Sequence, residues 1–142
     1  MYDRILIPID GSTCSDNTLG EAIRLAKLFN ASVTLLHAVE NPVTYIYAEY
    51  IYDLQQDLKK LGGQALEQAQ LRCEEAGLTV ITKLVENTHP VEAILDAEED
   101  SDLIIMATHG RRGMTRMVLG SVTEEVLRRS NLPHIVLRCD ES

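Results

Sequence analysis

The stretch IIMATHGRRGMTRMVLGSVTEEVLRR, residues 104–129, carries three signals in direct succession. It begins inside an unbroken apolar run, DLIIMA over 102–107, the pattern of a strand covered on both faces. It then turns glycine-rich and basic through Gly110, Arg111, Arg112 and Gly113, and it closes in VTEEVLRRS, a helical segment with Gly120 and Ser121 at its start. In an open α/β sheet, ligands bind beyond the carboxyl ends of the strands, so a strand, a glycine-bearing segment and a helix start in that order predict a site.

Working outward, the rest of the chain repeats the alternation. RILIPI (4–9) is an apolar, β-branched run, and the polar DGSTCSDN after it opens a helix. Leu19, Ala22, Ile23, Ala26 and Phe29 form that helix's inward face at helical spacing, with Asp16 as the expected N-cap. SVTLLHAV (32–39) is the second strand, followed by a connection over 40–51 that bears Tyr45, Tyr47 and Tyr50, with Tyr52 next to it. These tyrosines suit either a flap near the site or a partner surface. Leu54, Leu58, Leu61, Ala65, Ala69 and Ala76 mark a long helix ending at Gly77, in which Gly62 and Gly63 cost about 1 kcal/mol each relative to alanine and predict a bend or break. LTVITKLVE (78–86) is a third strand, Thr88 or His89 before Pro90 starts a short helix, and PHIVLR (133–138) is the last strand. Ser121 and Glu124 have the spacing of a capping box. Five strands alternating with four helices predict an α/β fold: an open, twisted, five-stranded parallel sheet with helices on both faces.

The length of 142 residues fits one domain, 1–142, and the ordinary shares of hydrophobic (45%) and charged (25%) residues fit a globular chain. The start, MYDRILIPID, reads as neither a signal peptide nor a membrane span, so a soluble, cytoplasmic protein is expected. Cys14, Cys73 and Cys139 are odd in number with no CxxC pair, which points to small buried hydrophobes rather than a disulfide framework or zinc site. A net charge of -9 argues against a nucleic-acid partner. The sign is uneven, however: Arg111, Arg112, Arg116, Arg128 and Arg129 are five of nine arginines, within 19 residues, which leaves room for a local anion site. Arg128 and Arg129 are also well placed to pair with Glu124 and Glu125 at i,i+4.

Two polar segments meet at the predicted sheet edge, DGST (10–13) after strand one and THGRRG (108–113) after strand four. Gly110 and Gly113 allow close approach of a ligand to the backbone, and Gly120 opens the first N–H groups of the last helix. Those unpaired donors and the helix dipole favour an anion, and the Ser121 hydroxyl can donate to it. Asp10 could accept from ribose hydroxyls or hold a magnesium ion, and Ile9 with Val39 could wall a base. Each residue has a plainer role as well: Ser121 as a cap, Asp10 as a turn former with Ser12 and Thr13, His37 and His109 as structural hydrogen-bonding groups. No G-x-x-x-x-G-K-[ST], strand-one G-x-G-x-x-G, G-x-S-x-G or H-E-x-x-H occurs, and no activated nucleophile or base is evident.

RILIPIDGS, LLHAVE and DLIIMATHGRRGMTRMVLGSVTEEVLRRSNLPHIVL, together with the length, resemble the universal stress protein family of the single-domain, UspA-like type. The resemblance spans nearly the whole chain and is most specific in its last third. It implies a Rossmann-like fold and, in the members that bind ATP, a motif of glycine, two residues, glycine, nine residues, then glycine with serine or threonine. Ala107, Thr108, His109, Gly110, nine residues, Gly120 and Ser121 fit that frame, with alanine at the first glycine. Alanine is harmless there if the backbone is strand-like and harmful if its methyl faces the nucleotide. Carried onto matching positions, the resemblance implies adenine and ribose contacts from Pro8, Ile9, Asp10 and Val39, and phosphate contacts from Gly110, Gly120, Ser121 and Val122. Ser12, Thr13, Arg111 and Gly113 join the candidates from their placement.

The family also implies a homodimer. Ile135, Val136 and Leu137 lie in a last strand expected at the sheet edge, and an exposed apolar edge must be covered or paired. The expected function is then a stress or regulatory protein that binds ATP, with Mg2+ as a candidate companion, and that shows its state to a partner protein. A nucleotide-free dimerising module and a weak ATPase are the alternatives.

Overall fold

The computed structural model describes residues 2–40, 48–110 and 120–140. In chain order the elements are β1 (Arg4–Pro8), α1 (Thr13–Leu28), β2 (Ser32–Val39), α2 (Ala48–Glu75), β3 (Val80–Glu86), α3 (Pro90–Asp96) with a 3-10 turn at Ala97–Asp100, β4 (Leu103–Gly110), α4 (Ser121–Arg129) and β5 (His134–Asp140). The five strands form a single parallel sheet in the order β3-β2-β1-β4-β5.

Alternation along the strands divides the apolar side chains between two faces. Ile5, Ile7, Val33, Leu35, Leu103 and Ile105 pack against α1 and α2 through Leu19, Ala22, Ala26, Leu66, Ala69 and Cys73. Leu6, Leu36, Ile104 and Met106 pack the other way, against Val91 and Ile94 of α3 and Val126 of α4. Burial on both faces is why 102–107 reads as a continuous apolar run. All three cysteines are buried thiols outside any disulfide, and burial pushes the Cys73 thiol up to about 11. No helix among the described residues is long and apolar enough to cross a membrane.

Several local expectations are corrected. The N-cap of α1 is Ser12 rather than Asp16: the Ser12 hydroxyl accepts from the Ser15 N–H, and Asp16 sits within the first turn. Gly11, at φ +81°, turns the chain early enough to start the helix at Thr13. Ser121 and Glu124 form no capping box, because Gly120 is the N-cap and Ser121 is already the first helical residue. In α2, Leu58 and Leu61 are exposed rather than buried (Leu61 is 62% exposed), whereas Ala69 is buried and Ala65 and Ala76 pack against the core as expected, joined there by Leu66 and Cys73. The helix also runs unbroken through Gly62 and Gly63.

The strand order places a switch point between β1 and β4, since the chain winds outward from β1 to β3 and then returns across β1 to β4. The ladder between these two strands pairs only Ile5 with Leu103 and Leu6 with Ile104, although β1 continues to Pro8 and β4 to Gly110. Above that point the strands part, and their carboxyl ends border a space that neither fills.

Candidate functional site

That space is a cavity of about 260 Å3. Pro8, Ile9 and Asp10 enter it from the end of β1, Leu36, His37 and Ala38 from β2, and Met106, Ala107 and Thr108 from β4. Pro90 and Ile94 of α3 close one side, and Gly120 to Thr123 at the start of α4 close another. Leu36, Ile94, Met106 and Val122 make apolar walls, while Asp10, Thr108, Ser121 and Thr123 supply polar groups, a mixture suited to a ligand that is part flat and apolar and part charged.

The start of α4 is the polar end. Gly120 has φ −62° and ψ 154°, an extended conformation open to any residue, and a Cβ built on it would meet nothing within 4 Å. Its value is therefore open space in front of the helix N–H groups, which carry the positive end of the dipole. Ser121 is exposed at this rim. Thr123 is buried and its hydroxyl donates to the Ala107 carbonyl at 3.4 Å, tying α4 to β4.

Ala107 lies in regular strand, paired with Leu137 of β5. Alternation from Leu103 and Ile105 points its methyl toward α1, where it borders a small void with Thr18, Leu19 and Ala22. Its backbone is strand-like, a conformation that alanine adopts without strain. Thr108 points the other way and is 1% exposed.

Asp10 has one carboxylate oxygen engaged, Oδ1 accepting from the Ser12 N–H at 2.9 Å. The turn-forming role and the site position thus coexist in one side chain. Of the remaining candidates, Ser12 caps α1 and Thr13 is its exposed first residue, and neither lines this cavity. Gly110 ends β4, and Arg111 and Gly113 lie outside the described residues, as do Tyr45 and Tyr47. Tyr50 and Tyr52 are exposed on the first turns of α2. Arg128 and Arg129 pair with Glu124 (3.6 Å) and Glu125 (3.3 Å), as the spacing predicts, and Arg129 also reaches Glu92 of α3 at 2.7 Å. Ile135, Val136 and Leu137 lie in β5, an edge strand, with Ile135 and Leu137 packed against the α1–α2 core. Among the described residues no cluster of three or more acidic, imidazole or thiol groups is arranged to hold a metal ion.

A second cavity, about 560 Å3, shares Asp10, His37, Ala38 and Pro90 with the first and extends to Val39, Glu40 and the Leu58, Leu61, Gly62 and Ala65 side of α2. His37 stands between the two. Its ring, partly buried, bonds the Ile9 carbonyl through Nδ1 at 2.6 Å and lies against Gly62. Sequence reasoning missed this contact, as it missed Ser15, Leu36, Ile94, Met106 and Thr123 as lining residues. The one available signal was a glycine in mid-helix with no turn to explain it.

An open, doubly wound parallel sheet with a mixed apolar and polar cavity at its switch point defines the class of Rossmann-like α/β domains. The sequence profile described as the universal stress protein family matches residues 1–138, and the chain belongs to that family. It is 36% identical to Universal stress protein MJ0531 of Methanocaldococcus jannaschii over 97% of this chain and 83% of that one. Among solved structures, the hypothetical protein MJ0577 of the same organism superposes with a TM-score of 0.82 at 30% identity, covering 100% of this chain and 99% of that one. A universal stress protein from Archaeoglobus fulgidus, solved in complex with dAMP, shares the fold at a TM-score of 0.65 and 22% identity, over 95% and 97% of the two chains.

Proposed function

We propose that this universal stress protein binds an adenine nucleotide, ATP in its full form, in the cavity between the carboxyl ends of β1 and β4. The observation that carries the proposal is the joining, in one space, of apolar walls at Leu36, Ile94, Met106 and Val122 with the open N-terminus of α4 at Gly120–Ser121. The base lies between the apolar walls and the phosphates lie at α4, where Gly120 leaves room. Pro8 and Ile9 flank the adenosine end, with Val39 in the adjoining cavity, Thr108 and Gly110 flank the β4 side, and Asp10 takes a ribose hydroxyl or one position on a hydrated Mg2+ held chiefly by the phosphates. The complex of the Archaeoglobus fulgidus relative with dAMP fits the same ligand class.

Chromatography of the supernatant from freshly purified, denatured protein tests this directly. Near-stoichiometric adenine nucleotide is expected, and added ATP-Mg at a hundred times its Kd should stabilise the fold by ~2.7 kcal/mol. An empty protein that also ignores ATP, AMP and cyclic AMP in calorimetry would overturn the proposal.

Nucleotide occupancy serves a cytoplasmic stress or regulatory function, read by a partner protein from a homodimer joined through β5. The edge position of β5 and its Ile-Val-Leu run support that interface, because pairing with a two-fold mate removes an exposed apolar edge. Val136→Lys should yield monomers in light scattering, and an unchanged dimer counts against a β5 interface.

A further inference from the structure

Where the β1–β2 ladder ends, a side chain takes over from the backbone. The Ile9 N–H still donates to the Leu36 carbonyl at 2.7 Å, one residue beyond β1. Ile9 is buried, so its carbonyl needs a partner within the protein. His37 supplies it, with Nδ1 at 2.6 Å. A carbonyl only accepts, so Nδ1 carries the proton in this bond.

The bond falls on the residue immediately before Asp10. Asp10 begins the turn that runs through Gly11 to the cap of α1, with its own Oδ1 on the Ser12 N–H. Both Ile9 and Asp10 border the cavity assigned to the nucleotide. The placement of the Asp10 carboxylate at that cavity thus depends on a strand end whose final carbonyl is held by an imidazole.

The ring keeps this place only because residue 62 is glycine. A Cβ on Gly62 would lie 2.6 Å from Nε2 and closer still to Cδ2, inside van der Waals contact, so the ring would have to leave the Ile9 carbonyl. The glycine in the middle of α2 and the histidine near the end of β2 form a single device.

We propose that His37 is a positioning residue for nucleotide binding. Through Ile9 it sets where Asp10 meets the ligand, and Gly62 is the condition for its doing so. The inference rests on the nucleotide reading above and adds a residue that acts on the ligand through another.

Three variants test it with the full-length protein, calorimetric titration of ATP-Mg being compared at a temperature where circular dichroism shows all of them folded. His37→Leu removes the donor, and nucleotide affinity should fall about tenfold or more. His37→Asn places an amide N–H near the position of Nδ1, and affinity should return to within about threefold of the parent. Gly62→Ala should weaken binding as His37→Leu does and should abolish the Nδ1–H signature expected for His37 in nitrogen NMR of the parent protein. That combination of rescue by asparagine and loss of a tautomer signature is not expected of a residue that merely fills space. If the parent binds ATP-Mg but His37→Leu binds it equally well, or asparagine fails to restore affinity, the positioning role is wrong and the nucleotide site stands. If the parent binds no nucleotide, the nucleotide reading fails and this role with it. Should His37→Leu not fold, Gly62→Ala and His37→Asn decide between the same outcomes.

Discussion

The two faces of the sheet are closed by helices of very different length. On one face α1 has 16 residues and α2 has 28. On the other, α3 has 7 and α4 has 9. A helix of seven residues is about 10 Å long, whereas an eight-residue strand such as β4 is about 26 Å. Short helices cannot cover the strands from end to end, and the carboxyl end of the α3–α4 face is where the 260 Å3 cavity lies. A larger cavity also lies beside α2, so what distinguishes the smaller one is the N-terminus of α4 at its rim.

Adjacent leucines of β2 measure this difference most strongly. Leu35 is 0% exposed in the filled α1–α2 core, and Leu36 is 2% exposed but borders the cavity. Leu35→Ala should cost roughly 3–5 kcal/mol, because a closed core keeps the void it is given. Leu36→Ala should cost roughly 2–3 kcal/mol, since the space it enlarges already opens to water. Urea unfolding of the two variants provides the check, and equal losses would mean that both faces are packed alike.

A smaller effect separates folding from binding at α4. Gly120→Asp introduces a favoured N-cap residue at an extended, unobstructed position, so stability should hold or rise by a few tenths of a kcal/mol. The same carboxylate stands where the phosphates are proposed to lie, and ATP affinity should fall at least tenfold, about 1.4 kcal/mol. Unchanged affinity in this stable variant would move the phosphates away from the helix.

Much of this arrangement was legible in the sequence, because periodicity and strand order are local signals. DLIIMA announced a doubly covered strand, and Pro90 marked the start of α3, where His89 is the N-cap and its Nδ1 accepts from the Val91 N–H. The glycine and serine at 120 and 121 fell where a site was expected. What escaped depends on contacts between distant segments. Ser12 and Asp16 are both good caps by type, and only the Gly11 turn chose between them. The phase of α2 is set by its approach to β2, which puts Gly62 rather than Leu61 against the sheet. The His37 contact joins residues 25 positions apart and leaves no local pattern beyond an apparently costly glycine.

The smallest effect concerns what holds the thinner face together at its surface. Arg129 of α4 reaches Glu92 of α3 through two contacts, 2.7 and 3.4 Å, across helices that also share a buried cluster through Val91, Ile94 and Val126. The hydrogen bond from Arg129 holds the Glu92 carboxyl below its ordinary value near 4.5. A group whose folded value is depressed contributes stability above its unfolded value and loses it as pH falls through the folded one. The contribution should therefore be full at pH 7 and start to fall only as the pH drops through about 4.5, the ordinary value of the carboxyl, toward the lower folded value. Glu92→Gln should be slightly less stable than the parent at pH 7 in low salt, differ from it less at pH 3, and lose most of the difference in 1 M salt, because the pair is solvent-exposed and screened. Urea midpoints at the two pH values give the measurement. A difference that survived both acid and salt would mean that Glu92 supports α3 by packing, and that the two faces are secured by the same means after all.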